Sequence, residues 1–241
     1  MDNVLMYVTE VAPYERDVAS GAVRLAGVHR VLPQSATALA EMADVAGLGF
    51  VHTNDVRSLP ADALDNCRVL ALYTIGETPW SEPQRRKILE RVRAGETHVL
   101  AIHSATDSCH GWDDFGRLIG ARFECHPWTQ QLTIEVVDAD HPATRGLPVP
   151  WHLEDEIYLF ENLRPDARIL LRLQPDGLDM SRPGAHVPEI GFPLAWSLSE
   201  GAGRVFYTSL GHFPSAYENV SYLHHLYGGL SWLLGREVGE G

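Results

Sequence analysis

Two histidines that follow apolar runs are the residues of this sequence best placed for chemistry. His103 comes directly after the run 99–102, and His212 follows the run 203–210. Imidazole titrates near neutral pH, so a histidine can accept and donate a proton within one reaction cycle. Small residues on both sides of His103 are typical of a sharp strand-to-helix turn that lifts one side chain above a sheet. We therefore expect the two imidazoles to face one crevice, although each could also be a structural histidine.

A second group of candidates consists of two carboxylates and four polar or aromatic residues. Asp107 lies shortly after His103, and Glu156 belongs to the acidic run 154–156. Either carboxylate could orient an imidazole. The candidates for ligand contact are Ser104, His126, Trp128 and Tyr158. Aromatic faces and carboxylates together favour a polar ligand such as a sugar, whereas the alternatives are a solvated acidic surface and a core position for Trp128.

The same side chains keep two other functions open. His103, His126, His212 and Glu156 are ligand types that bind divalent metals, as in a metal-dependent hydrolase. They are scattered in the sequence, and no HxH or HExxH pattern accompanies them, so no cofactor is assigned. The second alternative is a sugar-binding protein without catalytic activity, which a ligand would stabilise without any product being formed.

Alternating strand and helix patterns must position these residues. Continuous apolar runs indicate strands covered on both faces, as in a parallel sheet, and they occupy residues 4–8, 69–73 and 99–102, with a shorter strand candidate at 49–52. Helical patterns cover residues 35–46, 81–93, 112–119 and 223–234. This order predicts a doubly wound, mostly parallel α/β sheet flanked by helices. Ligands of such sheets bind beyond the carboxyl ends of the strands, where His103 and His212 are expected.

The middle of the chain follows a different pattern. Residues 131–137 alternate between apolar and polar side chains, which predicts a half-exposed antiparallel strand extending the sheet. Further strands are predicted at 169–173, 194–198 and 203–210. Neither a repeat nor a linker interrupts the pattern, so we expect one domain over residues 1–241.

Composition narrows the range of partners. The net charge of −13, from 19 basic and 32 acidic residues, repels phosphate backbones and anionic lipids, so neither nucleic acid nor membrane is an expected partner. The three cysteines form no CxxC pair, and the N-terminus lacks a basic signal-peptide region. These features predict a cytoplasmic protein, and exposed aromatic residues in the C-terminal half suggest a homodimer.

Six stretches match, in order, the pattern of one family. They are residues 74–77, 101–107, 123–129, 140–148, 155–158 and 203–212. Through them the chain resembles the trehalose-utilisation, or ThuA-like, family over about residues 69–234. The resemblance implies a flavodoxin-like fold, similar to class I glutamine amidotransferases, and a role in carbohydrate metabolism beside dehydrogenases that make keto-sugars. The segment 10–33 carries no family pattern.

One departure from the amidotransferase pattern bears on the reaction. Those enzymes have a cysteine at the turn where this chain has His103, while His212 matches their later histidine. Without a thiolate at the turn, glutamine hydrolysis through a thioester has no nucleophile. We therefore expect a hydrolase, lyase or isomerase that acts on a sugar or keto-glycoside, not a glutaminase. In this scheme His103 and His212 exchange protons, Asp107 or Glu156 orients an imidazole, and Trp128 supports the sugar ring.

Overall fold

The computed structural model describes residues 3–9, 14–16, 23–25, 29–60 and 62–236, which form one nine-stranded sheet, a two-stranded ladder and four α-helices. The strands are β1 (Val4–Thr9), β2 (Tyr14–Arg16), β3 (Val23–Leu25), β4 (Gly49–Thr53), β5 (Cys67–Tyr73), β6 (His98–Ile102), β7 (Arg122–Val136), β8 (Trp151–Glu161), β9 (Arg168–Leu173), β10 (Pro193–Glu200) and β11 (Gly203–Thr208). The α-helices are α1 (Leu32–Val45), α2 (Glu82–Arg93), α3 (Asp113–Ile119) and α4 (Val220–Leu233). Most of the segment 10–33 lies outside the described residues.

The large sheet is parallel in one half and antiparallel in the other. Its strand order is β4-β1-β5-β6-β11-β10-β9-β7-β8. The neighbours from β4 to β11 pair in parallel, and those from β11 to β8 pair in antiparallel fashion. The expectation of a mostly parallel sheet is therefore correct for the first half only. The antiparallel part is larger than a local extension, because β8 and the full length of β7 belong to it.

Helices cover both faces of the parallel half, as a doubly wound arrangement requires. Leu5 and Tyr7 of β1 pack in one apolar cluster with Leu39 of α1 and with residues of α4. Met6 and Val8 point to the other face and join a cluster that contains residues of α2 and α3. Burial on both faces explains why these strands are continuous apolar runs in the sequence.

Local sequence signals account for the helix ends. Helix α2 begins after Ser81, whose backbone N–H donates to Gln84 Oε1 at 2.9 Å, as in a capping box. Helix α1 begins at Leu32, earlier than the predicted start at residue 35. Pro33 lies in its first turn, where a missing N–H costs no hydrogen bond, so the proline does not delay the helix.

The β7–β8 hairpin differs most from the sequence prediction. The motif containing His126 and Trp128 lies inside β7, not at the end of a strand, and the acidic run 154–156 lies inside β8. Side chains of β8 alternate between buried and exposed from residue 151 to 155, and Asp155 takes a buried position. Strand β7 contacts the His103–Asp107 turn, and β8 contacts the Pro214–Glu218 turn, so the hairpin reaches the carboxyl edge of the parallel strands.

Among the described residues, no helix has the length and apolar character that a membrane crossing requires.

Candidate functional site

His103 stands at a sharp turn at the end of β6. Its backbone has a φ of 49°, in the left-handed region that residues other than glycine rarely adopt, and a 3-10 turn follows over His103–Asp107. Tyr207 stabilises this turn by donating its hydroxyl to the His103 carbonyl at 2.8 Å. The turn has the strained strand-to-helix form that the sequence predicts, with an imidazole in place of a thiol.

The hydrogen bonds of His103 define which nitrogen faces the cavity. Its Nδ1 lies 2.7 Å from the Ser209 carbonyl oxygen. A carbonyl can only accept, so Nδ1 carries the proton and Nε2 keeps a free lone pair. The Tyr158 hydroxyl donates to this Nε2 at 2.9 Å. His103 is fully buried, yet its basic nitrogen points toward the other polar residues of the site.

His212 follows β11 in a turn that a buried carboxylate holds. The backbone N–H groups of Gly211 and His212 donate to Asp155 Oδ2 and Oδ1 at 2.7 and 3.2 Å, and Tyr73 donates its hydroxyl to the Gly211 carbonyl at 3.0 Å. Gly211 has a φ of 114°, and a Cβ at this position would collide with the Tyr222 hydroxyl. Glycine is therefore required for the turn that presents His212.

Three polar atoms converge at the centre of the site. His103 Nε2 lies 3.1 Å from His212 Nδ1, and Glu156 Oε2 lies 3.4 Å from each of these nitrogens. The expectation that the two imidazoles meet is correct, and Glu156 is the carboxylate that contacts both. The Glu156 backbone N–H also donates to Asp155 Oδ1 at 2.9 Å, so one buried carboxylate positions both Glu156 and His212.

Burial and charge set the protonation states of these groups. Burial lowers the pKa of His103, and burial together with the neighbouring His103 lowers the pKa of His212 to about 4. Burial by itself would raise the pKa of Glu156, but the adjacent imidazoles outweigh it and hold that pKa at about 2. The lowered pKa values favour imidazoles that are neutral and able to accept a proton at neutral pH, and Glu156 lies where its carboxylate would stabilise the resulting imidazolium.

A cavity of about 240 Å³ opens beside these groups. Its lining includes Asp107, His126, Glu156, Tyr158 and His212, all of which the sequence analysis predicts as site residues. The rest of the lining consists of His29, Ile75 and Phe123. Titratable side chains form most of the cavity wall and aromatic rings a smaller part of it, which suits a small polar ligand.

Three predicted residues take positions other than those expected. Ser104 is fully buried behind the turn and does not line the cavity. Trp128 is 1% exposed and donates its indole N–H to the Asp179 carbonyl at 2.9 Å, so its ring is part of the core and cannot stack on a ligand in the cavity. Asp107 lines the cavity, but its carboxylate bonds to His110 at 2.8 Å, and no hydrogen bond joins it to His103 or His212 among the described residues.

Two functional residues are absent from the sequence prediction. Asp155 lies within the acidic run 154–156, which gives no sign of its special role. The alternation of buried and exposed side chains along β8 places it on the buried face. His29 lies between β1 and α1, and such connections emerge at the carboxyl edge of a parallel sheet. No motif marks His29, so the signal that could have identified it is its place in a connection between a parallel strand and a helix.

His29 also changes the candidate metal ligands. One ring nitrogen from each of His29, His103 and His212 lies within 4.8 Å of the other two. His126 belongs to the ligand set expected from the sequence, but it is not part of this group of three nitrogens. Its side chain is half exposed, and its Nδ1 lies 3.8 Å from Oε1 of Glu156, the oxygen that does not contact His103 and His212. Neutral imidazoles and a carboxylate are suitable ligands for a divalent transition metal.

The cysteines lie apart from the turn. Cys67 and Cys109 are buried and Cys125 is partly buried, and burial raises the pKa of all three thiols. None lines the cavity. A glutaminase mechanism therefore lacks a thiolate at this site.

Comparisons with known proteins agree with this fold. The model of the ThuA family, described as trehalose utilisation, matches residues 22–233. A ThuA-like protein from Bacteroides uniformis superimposes with a TM-score of 0.76 at 19% identity, covering 98% of this chain and 93% of that one. A ThuA-like protein from Parabacteroides merdae gives a TM-score of 0.72 at 16% identity, covering 100% and 93%.

A cold-adapted β-galactosidase from Rahnella contains a similar region, with a TM-score of 0.57 at 14% identity. The match covers 97% of this chain and 31% of the galactosidase. At these identities the likeness concerns the fold. No curated protein matches the chain by sequence.

Proposed function

The chain belongs to the ThuA trehalose-utilisation family, and we propose that it is an enzyme that processes a sugar or keto-glycoside at the cavity beside His103, His212 and Glu156. Family membership indicates a role in sugar metabolism. The observation that carries the proposal is the convergence of two imidazoles and a carboxylate within 3.4 Å at one wall of the cavity. Such a group is a base at neutral pH.

The size of the cavity supports a small substrate. Its volume of about 240 Å³ is below the roughly 300–1,000 Å³ typical of sites for drug-sized ligands. One sugar unit would occupy it while the rest of a glycoside remains outside. His126 and Asp107, which line the cavity, supply polar groups for sugar hydroxyls.

A keto-glycoside provides a proton that this base can remove. A ketone acidifies the adjacent C–H, so the base can take that proton and leave the electron pair in an enolate. When the enolate collapses, the ketone re-forms, a C=C bond joins the deprotonated carbon to the next carbon, and the glycosidic C–O bond on that next carbon breaks. The departing oxygen takes up the proton that the base removed and leaves as an alcohol. No covalent intermediate with the protein forms, which agrees with the absence of a cysteine at the turn. His212, whose side chain is 27% exposed, is the more accessible imidazole for this transfer.

The test is turnover of oxidised disaccharides, measured by product analysis. We expect the His103→Ala and His212→Ala variants to lose about 10²–10⁴-fold in kcat, the usual contribution of a general base or acid. His186→Ala is a matched control, because this exposed histidine pairs with Glu124 at 3.4 Å and is not part of the cavity lining. Full turnover in both site variants would refute the scheme.

The same samples distinguish catalysis from binding alone. A sugar-binding protein would show ligand-induced thermal stabilisation without product. If wild-type protein binds keto-glycosides in calorimetry but leaves them chemically unchanged, the enzymatic proposal fails and the binding function replaces it.

A further inference from the structure

We infer that His29, His103, His212 and Glu156 bind one divalent transition-metal ion at the wall of the cavity. The ligand set is argued from geometry, and only the identity of the substrate rests on the proposed function. The set contains three imidazoles and one carboxylate, and it replaces the sequence-based set by exchanging His126 for His29.

The separations between the converging atoms match those of ligands around one ion. With zinc–nitrogen and zinc–oxygen bonds of about 2.0–2.1 Å, two ligand atoms of a tetrahedral site lie about 3.3–3.4 Å apart. The observed separations among His103 Nε2, His212 Nδ1 and Glu156 Oε2 are 3.1, 3.4 and 3.4 Å. One ring nitrogen of His29 lies within 4.8 Å of a ring nitrogen of each of the other two histidines, which adds a third imidazole to the group.

The orientation of the three rings gives a second, independent match. A bound imidazole has its ring centroid about 3 Å from the ion, so three tetrahedral imidazoles have centroids about 5 Å apart. The centroid distances here are 5.1 Å for His29–His103, 5.3 Å for His29–His212 and 5.1 Å for His103–His212. The rings meet at angles of 89°, 83° and 57°, so none of the three pairs is stacked in parallel.

Surrounding contacts hold the ligands in the required state. The bond from His103 Nδ1 to the Ser209 carbonyl leaves Nε2 as the metal-binding nitrogen, which is the usual outer-shell arrangement for a metal-bound histidine. Asp155 accepts the backbone N–H groups of both Glu156 and His212 and so holds two ligands from different strands.

The ligand types select the class of metal. Imidazoles favour zinc, iron, nickel and related ions, whereas magnesium and calcium require mostly oxygen ligands. An ion at this wall faces the cavity and would polarise a keto oxygen of the substrate, which makes the adjacent C–H more acidic. An ion and a proton would compete for the same imidazole lone pairs, so with the ion bound the proton acceptor would be Asp107, which lines the cavity, in place of His212.

The experiment measures metal binding without reference to activity. Wild-type protein is stripped with a chelator, dialysed, and titrated with Zn²⁺ or Co²⁺. We expect saturation at about one ion per chain, a visible ligand-field band with Co²⁺, and a rise in Tm that Mg²⁺ and Ca²⁺ do not produce. Removing a ligand by His29→Ala or Glu156→Gln should weaken binding by more than the roughly 10–100-fold typical of outer-shell changes.

Two controls keep the test decisive. His186→Ala keeps the site intact and should bind like the wild type, while His29→Gln, a milder change, replaces His29→Ala if that variant unfolds. The inference is overturned if wild-type protein shows no saturable Zn²⁺ or Co²⁺ binding, or if the ligand variants bind as tightly as His186→Ala.

The two proposals fail in different ways. Stoichiometric metal binding without turnover of keto-glycosides would leave the metal site established and refute the proposed function. Turnover that persists after removal of the metal, with no saturable binding, would refute the metal site and leave the proposed function standing.

Discussion

Asp155 is fully buried, and its carboxylate accepts backbone hydrogen bonds from Gly211, His212 and Glu156. Burial raises the pKa of this carboxyl to about 7, although the three N–H donors act in the opposite direction. A buried carboxylate is tolerated here because both of its oxygens are satisfied. Asp155 thus positions the site without lining the cavity, by joining the end of β11 to the middle of β8.

Replacing Asp155 with asparagine should disturb both stability and activity. The amide keeps one acceptor oxygen, but its NH₂ group must then face backbone N–H donors, which leaves buried groups unpaired. We expect unfolding to require about 1–3 kcal/mol less free energy, measured by denaturant titration. We also expect kcat to fall, because His212 and Glu156 lose their common support.

The control for this prediction is Asp166→Asn. Asp166 forms an exposed pair with Arg164, and loss of such a pair changes stability by at most about 1 kcal/mol. If Asp155→Asn and Asp166→Asn behave alike in stability and in kcat, Asp155 does not have the positioning role.

At the level of secondary structure, the β7–β8 hairpin determines which aromatic residues belong to the site. Its residues alternate between the two faces of the sheet, so neighbours in the sequence have different environments. Tyr158 reaches His103, whereas Trp128 packs against Phe192 in the core with ring centroids 6.1 Å apart. Aromatic type alone did not distinguish these two roles.

Trp128→Phe should therefore reduce stability and leave substrate binding unchanged. The change removes the hydrogen bond to Asp179 and part of a fully buried ring, which together cost about 1–3 kcal/mol. Thermal melting and steady-state kinetics on the same preparation would measure both effects. A rise in KM with an unchanged Tm would instead mean that Trp128 contacts the sugar.

At the scale of the whole molecule, buried histidines make stability depend on pH. Burial lowers the pKa of His98, His141 and His225 from 6.5 to about 4. The unfolded chain therefore binds more protons than the folded one between these pH values, and the folded state loses stability as the pH falls from about 6.5 to 4. The raised pKa of Asp155 has the opposite effect on stability over this pH range, but it is one group against three histidines.

We expect Tm to decrease steadily between pH 7 and pH 4. His98→Asn should reduce the slope, since the amide oxygen of asparagine can accept the bond that His98 Nδ1 accepts from the Arg204 N–H at 3.1 Å. His186→Asn, at the surface, is the matched control. A Tm that stays constant or rises as the solution is acidified to pH 5 would contradict this interpretation.

Three expectations from the sequence remain predictions: the homodimer, the cytoplasmic location and the single domain.

The sequence by itself determined the parallel half of the fold and the position of the two imidazoles. Strands buried on both faces are continuous apolar runs, and the rule that ligands bind beyond the carboxyl ends of parallel strands then located His103 and His212. The apolar runs and the positions of the two histidines after them depend only on neighbouring residues in the chain, so the sequence is enough to predict them.

Only the tertiary structure decided which other side chains join them. Glu156 comes from a strand four places away from β11 in the sheet, and His29 comes from a connection without a recognisable motif. The packing of the two faces of the β7–β8 hairpin into different apolar clusters also separated Tyr158 from Trp128. Such contacts depend on how distant segments pack in three dimensions, and neither residue type nor local spacing encodes that.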